Sequence, residues 1–151
     1  MSKGYYFTRR GGYHKKATPY RSGFEDKVIT VLKDASIPYM YEKHNINYKI
    51  PESEHIYTPD IVLDNNIIVE LKGLFEIEDR KKHLLVKEQH PNLDIRFVFQ
   101  NSSNKIYKGS KTSYGDWCSK NNIKYADKMI PISWFKEPEK SSKGLIKKKT
   151  K

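Results

Sequence analysis

The chain has very little cysteine: Cys118 is the only one among 151 residues. That excludes a disulfide framework and a cysteine-based zinc site, and it fits a reducing compartment, the cytoplasm. Residues 1–20 lack the apolar stretch of a secretion signal, and no run approaches the ~20 apolar residues of a membrane span, so no membrane partner is expected. No glycine-rich loop has P-loop form, so no nucleotide cofactor is expected. The histidines (His14, His44, His55, His83 and His90) are scattered without metal-ligand spacing. There is no internal repeat. Acid is missing from the first 24 residues, which hold Lys3, Arg9, Arg10, Lys15, Lys16 and Arg21 with neither Asp nor Glu.

The length is that of one domain with short appendages. The formal net charge is +11. It is made up of +6 in residues 1–24 and +5 in residues 136–151, so residues 25–135 are neutral. A neutral globular unit with two basic ends implies a polyanionic partner. Residues 1–20 interleave Tyr5, Tyr6, Phe7, Tyr13 and Tyr20 with Arg9, Arg10, Lys15 and Lys16 and have no helical or strand period. That composition suits phosphate neutralisation with base stacking, and it also suits a merely solubilising tail. The expected organisation is therefore a basic aromatic tail (1–20), one folded domain (21–138) and a lysine-rich tail (139–151).

Ser22 and Glu25 form a capping-box pattern ahead of an apolar stripe at Phe24, Val28, Val31, Leu32 and Ala35, which predicts a helix ended by Pro38. Residues 39–50 read as one long strand and about 55–73 as a hairpin. A helix is expected over about 78–90, a buried strand over Ile95 to Phe99, and a polar loop over 100–111. A short helix capped by Thr112 or Ser113 and another near Trp134 complete the pattern. The helix over 78–90 offers Arg80, Lys81, Lys82 and Lys87, and the loop offers Lys105, Lys108 and Lys111. Each set is either a solvated face or a phosphate-binding one. The order α-β-β-β-α-β-α predicts an α/β fold with a mixed sheet flanked by helices.

Within the hairpin, Tyr57-Thr58-Pro59-Asp60 leads a β-branched run, Asp64-Asn65-Asn66 makes a turn, and Ile67-Ile68-Val69-Glu70-Leu71-Lys72-Gly73 returns. Glu70 and Lys72 are two apart on one strand and share a face, which Asp60 on the partner strand can also reach. Two carboxylates and one ammonium in one cluster suit metal-dependent phosphodiester hydrolysis. The same residues also suit a solvated cross-strand ion pair beside a Pro-Asp turn. Because these charges interrupt strands that otherwise read as buried, a function or a partner is needed to offset the cost of burial. His55, near the hairpin, reads either as a surface residue at a strand end or as a neighbour of the site.

Pro-Asp followed by Glu-x-Lys on successive strands resembles the PD-(D/E)xK nuclease superfamily, and within it the chain resembles the phage endonuclease I family of Holliday-junction resolvases. The resemblance runs from about Arg21 to Pro138. It is carried by Arg21-Ser22-Gly23-Phe24-Glu25-Asp26-Lys27, the two hairpin segments, Asp79-Arg80-Lys81-Lys82-His83-Leu84-Leu85, Glu88-Gln89-His90-Pro91, Tyr107-Lys108-Gly109-Ser110 and Thr112-Ser113-Tyr114-Gly115. It implies a restriction-endonuclease-like core and a structure-selective endodeoxyribonuclease that cuts four-way junctions and other branched DNA. The expected products carry 5′-phosphate and 3′-hydroxyl ends. Glu25, Asp60, Glu70 and Lys72 are the implied catalytic set. Asp60, Glu70, Glu25 and the backbone carbonyl of Leu71 are the implied ligands of Mg²⁺ or Mn²⁺, two ions per site. Arg9, Arg10, Lys15, Lys16, Arg21, Arg80, Lys81, Lys105, Lys108 and Lys111 are the expected DNA contacts. The family resemblance also implies an intertwined homodimer, with residues 39–50 as the candidate bridge between subunits. A repair nickase or restriction-type nuclease of the same superfamily, and a non-catalytic nucleic-acid-binding protein, are the alternatives.

Overall fold

In the computed structural model, residues 22–50 and 53–148 are described. A mixed five-stranded sheet has helices against its faces, and a smaller three-stranded sheet packs beside it. The elements in chain order are α1 (Gly23–Asp34), β1 (Tyr39–Tyr41), β2 (His44–Ile50), β3 (Ser53–Tyr57), β4 (Ile61–Leu63), β5 (Ile68–Lys72) and α2 (Ile77–Gln89). Then follow β6 (Ile95–Phe99), α3 (Tyr114–Lys120), β7 (Tyr125–Asp127), α4 (Ile132–Phe135) and β8 (Leu145–Lys147). The larger sheet runs β1-β4-β5-β6-β7, antiparallel on the β1 side and parallel from β5 to β7; the smaller runs β3-β2-β8.

The expected turn joins β4 to β5. Asn66 takes a positive φ of 67°, a conformation asparagine tolerates better than most residues. Asn65 and Asn66 also donate to the carbonyls of Trp134, Glu137 and Lys140, so the turn anchors the chain beyond α4. The expected single strand over 39–50 is instead two strands in different sheets. At Glu42 the backbone turns to φ 50°, and its N–H donates to the Asp60 carbonyl at 3.0 Å. That bend sends β1 to pair with β4 and β2 to pair with β3 and β8. β3 likewise belongs to the smaller sheet, so the hairpin proper is β4–β5. Leu145–Lys147, within the lysine-rich end, forms the edge strand β8 against β2.

Ser22 caps α1, its hydroxyl oxygen accepting from the Glu25 N–H at 3.1 Å. The helix buries Val28, Ile29 and Leu32 against Ile61, Leu63, Val69, Leu71 and Val98. Val31, expected in that stripe, is 48% exposed, because the buried face turns on Ile29 instead. On the other face of the sheet Phe97 and Phe99 stack with rings 5.5 Å apart and join Phe75, Tyr114 and Trp117. Cys118 is buried in the same cluster, and burial pushes its thiol up to about 12, so it is an inert packing group.

Arg96 is fully buried on β6. It donates to both oxygens of Asp94 and of Glu137 at 2.6–2.8 Å and lies 5.0 Å from the Trp134 ring. This clamp fastens the segment after α4 to the sheet. Arg96→Ala should destabilise the fold by about 3 kcal/mol, since it removes four charge-assisted hydrogen bonds and the packing against Trp134, leaving Lys140 beside Asp94 and Glu137. Equilibrium urea unfolding reads the change; a loss under about 1 kcal/mol, the size of an ordinary surface pair, would show that the clamp is dispensable.

Candidate active site

Three elements and one bend meet at a buried acidic cluster. The β4–β5 register pairs Ile61 with Val69, and carried one residue further it sets Asp60 opposite Glu70. Asp60 stands just before β4. Its Oδ2 accepts the Leu71 N–H at 2.8 Å, a backbone donor that fixes the carboxylate at the end of the sheet. Glu25, in the first turn of α1, is held by hydrogen bonds from the Tyr41 and Ser22 hydroxyls, the latter at 3.3 Å. Asp60, Glu70 and Lys72 are each no more than 3% exposed, and Glu25 is 6% exposed. A solvated ion pair is thereby excluded as the reading of the hairpin charges.

Burial first, then the neighbouring Glu70 and Glu25 carboxylates, push Asp60 well above the ordinary carboxylate range. Burial also disfavours charge on Glu70, but the Asp60 hydrogen bond outweighs it, aided by Lys72, His83 and Lys82, and Glu70 is held below its usual value. The two carboxyls are thus driven apart, Asp60 toward its neutral form and Glu70 toward its charged form. Burial alone would lower Lys72; Glu70, Asp79 and Asp60 override it and keep the ammonium charged.

The structure brings Glu25, Asp60, Glu70 and Lys72 together and adds three residues that local pattern did not single out. Glu42 joins the cluster through the bend after β1, and carboxylate oxygens of Glu25, Glu42 and Asp60 lie within 4.8 Å of one another. Oxygen ligands at about 2.0–2.6 Å from one ion lie within roughly 5 Å of each other, so this set fits a hard divalent cation. Asp79 is the second. One oxygen takes the Lys72 ammonium at 3.2 Å, while the other accepts the Glu76 N–H at the start of α2. A capping box therefore doubles as the anchor of Lys72. That capping box is local to the start of α2, and nothing in its spacing ties it to Lys72. The third is His83, whose Nε2 lies 3.7 Å from Glu70 Oε2. His55 instead pairs with the Ser53 hydroxyl on the exposed edge of the smaller sheet.

Of the expected DNA contacts, Arg9, Arg10, Lys15, Lys16 and Arg21 lie outside the described residues. Lys81, Lys105, Lys108 and Lys111 are exposed. Arg80 is buried, 8% exposed, and its guanidinium donates to the carbonyls of Phe75 at 2.6 Å and Ile106 at 3.1 Å. It ties the lysine-bearing loop before α3 to the start of α2 instead of offering its charge to a phosphate. No helix among the described residues is long and apolar enough to cross a membrane.

The family described as phage endonuclease I matches residues 3–151, nearly the whole chain. The chain belongs to the phage endonuclease I family. Among its relatives, Endonuclease I of Escherichia phage T7 is 56% identical over 126 residues, covering 83% of this chain and 85% of that protein. Endodeoxyribonuclease 1 of Enterobacteria phage T3 is 54% identical over 133 residues, covering 86% and 88%. In this member of the phage endonuclease I family, the acidic cluster, Lys72 and its Asp79 anchor all lie within the matched span.

Proposed function

We propose that this chain is a structure-selective endodeoxyribonuclease with a PD-(D/E)xK core, which resolves four-way DNA junctions and cuts branched DNA as a homodimer in the host bacterial cytoplasm. The observation that carries the reading is the burial of Glu25, Asp60, Glu70 and Lys72 at one point of a basic protein. The names of the T7 and T3 relatives, an endonuclease and an endodeoxyribonuclease, support it. Glu25, Asp60, Glu70 and the Leu71 carbonyl would hold Mg²⁺ or Mn²⁺, one or two ions, with Glu42 beside them. A bound ion supplies Lewis acidity at the scissile phosphate and acidifies a water molecule.

The chain's own residues do the rest. Lys72, kept charged by the nearby carboxylates and anchored by Asp79, is suited to stabilising negative charge as it builds on the phosphate. Asp60, fixed by a backbone donor, keeps the carboxylates aligned without reorganisation during the reaction. Products with 5′-phosphate and 3′-hydroxyl ends follow from attack on the phosphorus with loss of the 3′ oxygen. Selectivity for branched DNA would come from basic surfaces, Lys81 and the Lys105, Lys108 and Lys111 loop among them, held at a set angle in the dimer and reading backbone shape. Incubation with a four-way junction and a matched linear duplex, with and without Mg²⁺, tests the proposal. Metal-dependent nicking of the junction alone is expected. Equal cutting of both substrates would favour another nuclease of the superfamily, and binding without cutting would favour a non-catalytic protein.

Two further results are expected. Glu25 is both the third residue of a capped helix and a candidate ligand. Glu25→Gln keeps the N–H that Ser22 caps, so its stability should fall by under ~1 kcal/mol, whereas its cleavage rate should fall about 100-fold or more. Near-normal single-turnover cleavage would leave Glu25 with its cap role alone. Removing residues 1–20 deletes Lys3, Arg9, Arg10, Lys15 and Lys16. If these touch phosphates, the log–log salt slope of junction binding should become shallower by roughly 0.9 per lost contact; an unchanged slope would make the tail a bystander.

A further inference from the structure

His83 is 2% exposed and sits on α2 with its ring wedged edge-on between Tyr57, 4.9 Å away, and Phe97, 4.6 Å away. Its Nε2 faces Glu70 Oε2 at 3.7 Å. Neither atom has a hydrogen-bond partner among the described residues. A buried polar atom left unpaired costs about 1–3 kcal/mol, so two such atoms facing each other call for an explanation. Their separation exceeds the reach of an N–H···O bond by a few tenths of an ångström. Glu70 also makes a hydrogen bond with Asp60.

We propose that His83 is a positioning residue for the Glu70 carboxylate, donating its Nε2–H to Glu70 Oε2 and so orienting Glu70 for a hard divalent cation. The inference rests on the metal-dependent reading above. A small rotation of the Glu70 carboxylate toward His83 closes the 3.7 Å gap, satisfies both orphaned atoms and fixes the plane of the carboxylate. Wedged between Tyr57 and Phe97, the buried ring is held in place as a directional donor to Glu70. Partners of this kind orient metal-bound carboxylates, and their loss typically weakens metal affinity 10–100-fold.

The test measures Mn²⁺ affinity of the DNA-free protein by isothermal titration, alongside junction affinity in EDTA. His83→Phe keeps an aromatic ring between Tyr57 and Phe97 but removes the donor. It should weaken Mn²⁺ binding about 10-fold or more and leave junction affinity in EDTA unchanged. His83→Gln restores a donor of similar reach and should recover most of the loss. His83→Leu serves as the donor-free variant if near-UV circular dichroism shows that His83→Phe does not fold. Wild-type Mn²⁺ affinity in a folded donor-free variant, or a Gln variant as weak as the donor-free one, would overturn the assignment. A wild-type protein that takes up no Mn²⁺ would instead overturn the metal-dependent reading on which it rests.

Discussion

Asp60→Asn should abolish junction cleavage while leaving junction binding near its wild-type strength. Asp60 sits among three other carboxylates, of Glu25, Glu42 and Glu70, and its loss removes a charged donor that an amide cannot replace for a hard cation. A cost of several kcal/mol in transition-state stabilisation corresponds to roughly 1,000-fold or more in single-turnover rate. The fold should persist, because an Asn oxygen can still accept the Leu71 N–H that Asp60 accepts at 2.8 Å. Binding should hold, because Asp60 is buried and its substitution leaves the exposed lysines unchanged. Near-normal cleavage would remove the catalytic reading of the cluster altogether.

The same substitution carries a signature in stability. The Asp60 carboxyl titrates higher in the folded protein than its ordinary value of 3.8, so folding favours its protonated form. The stability it contributes is complete below that ordinary value and is lost as pH rises through the folded pKa. In EDTA the wild type should therefore weaken over that upward window, and Asp60→Asn, which cannot ionise, should weaken less. A divalent cation, by neutralising the cluster, should stabilise the wild type more than the variant. Thermal melts across pH, with and without Mg²⁺, read both effects, and identical pH profiles for the two proteins would count against a proton held at Asp60.

A mixture of two inactive chains, Glu25→Gln and Lys72→Ala, should recover nicking when the chains are refolded together. Here α1 packs on the sheet of its own chain and brings Glu25 to Asp60. The α1–β1–β2 segment joins the rest of the sheet through β3, so exchanging it between two chains would rebuild the same contacts between subunits. Each site would then take Glu25 from one chain and Asp60, Glu70 and Lys72 from the other. In such a heterodimer one site collects both lesions and the other none. The intact site should cut one strand of a junction, giving nicks without full resolution. If every site is built from one chain, each keeps a lesion and the mixture stays inactive. Tagged pull-down establishes that heterodimers formed, and absent nicking in their presence would count against shared sites.

The sequence by itself determined that Glu70 and Lys72 share a face, because a strand alternates sides with a period of two. It also determined the asparagine turn that brings Asp60 alongside them, since Asp64-Asn65-Asn66 can make that turn locally. The Ser22 cap was legible for the same reason, a hydroxyl reaching an N–H three residues on being a local event, while of Thr112 and Ser113 the structure selects Ser113. Only the tertiary structure decided what stands around those residues. Nothing local marks residues 39–50 for division at Glu42; the Asp60 carbonyl, 18 positions further on, accepts the Glu42 N–H and draws that acid into the cluster. Helical spacing cannot tell that Asp79 clamps Lys72, that His83 faces Glu70, or that Arg80 spends its charge on two carbonyls. Those outcomes depend on how α2 lies over β5 and β6, where a side chain becomes a ligand, an anchor or a strut according to what the packing of distant segments sets in front of it.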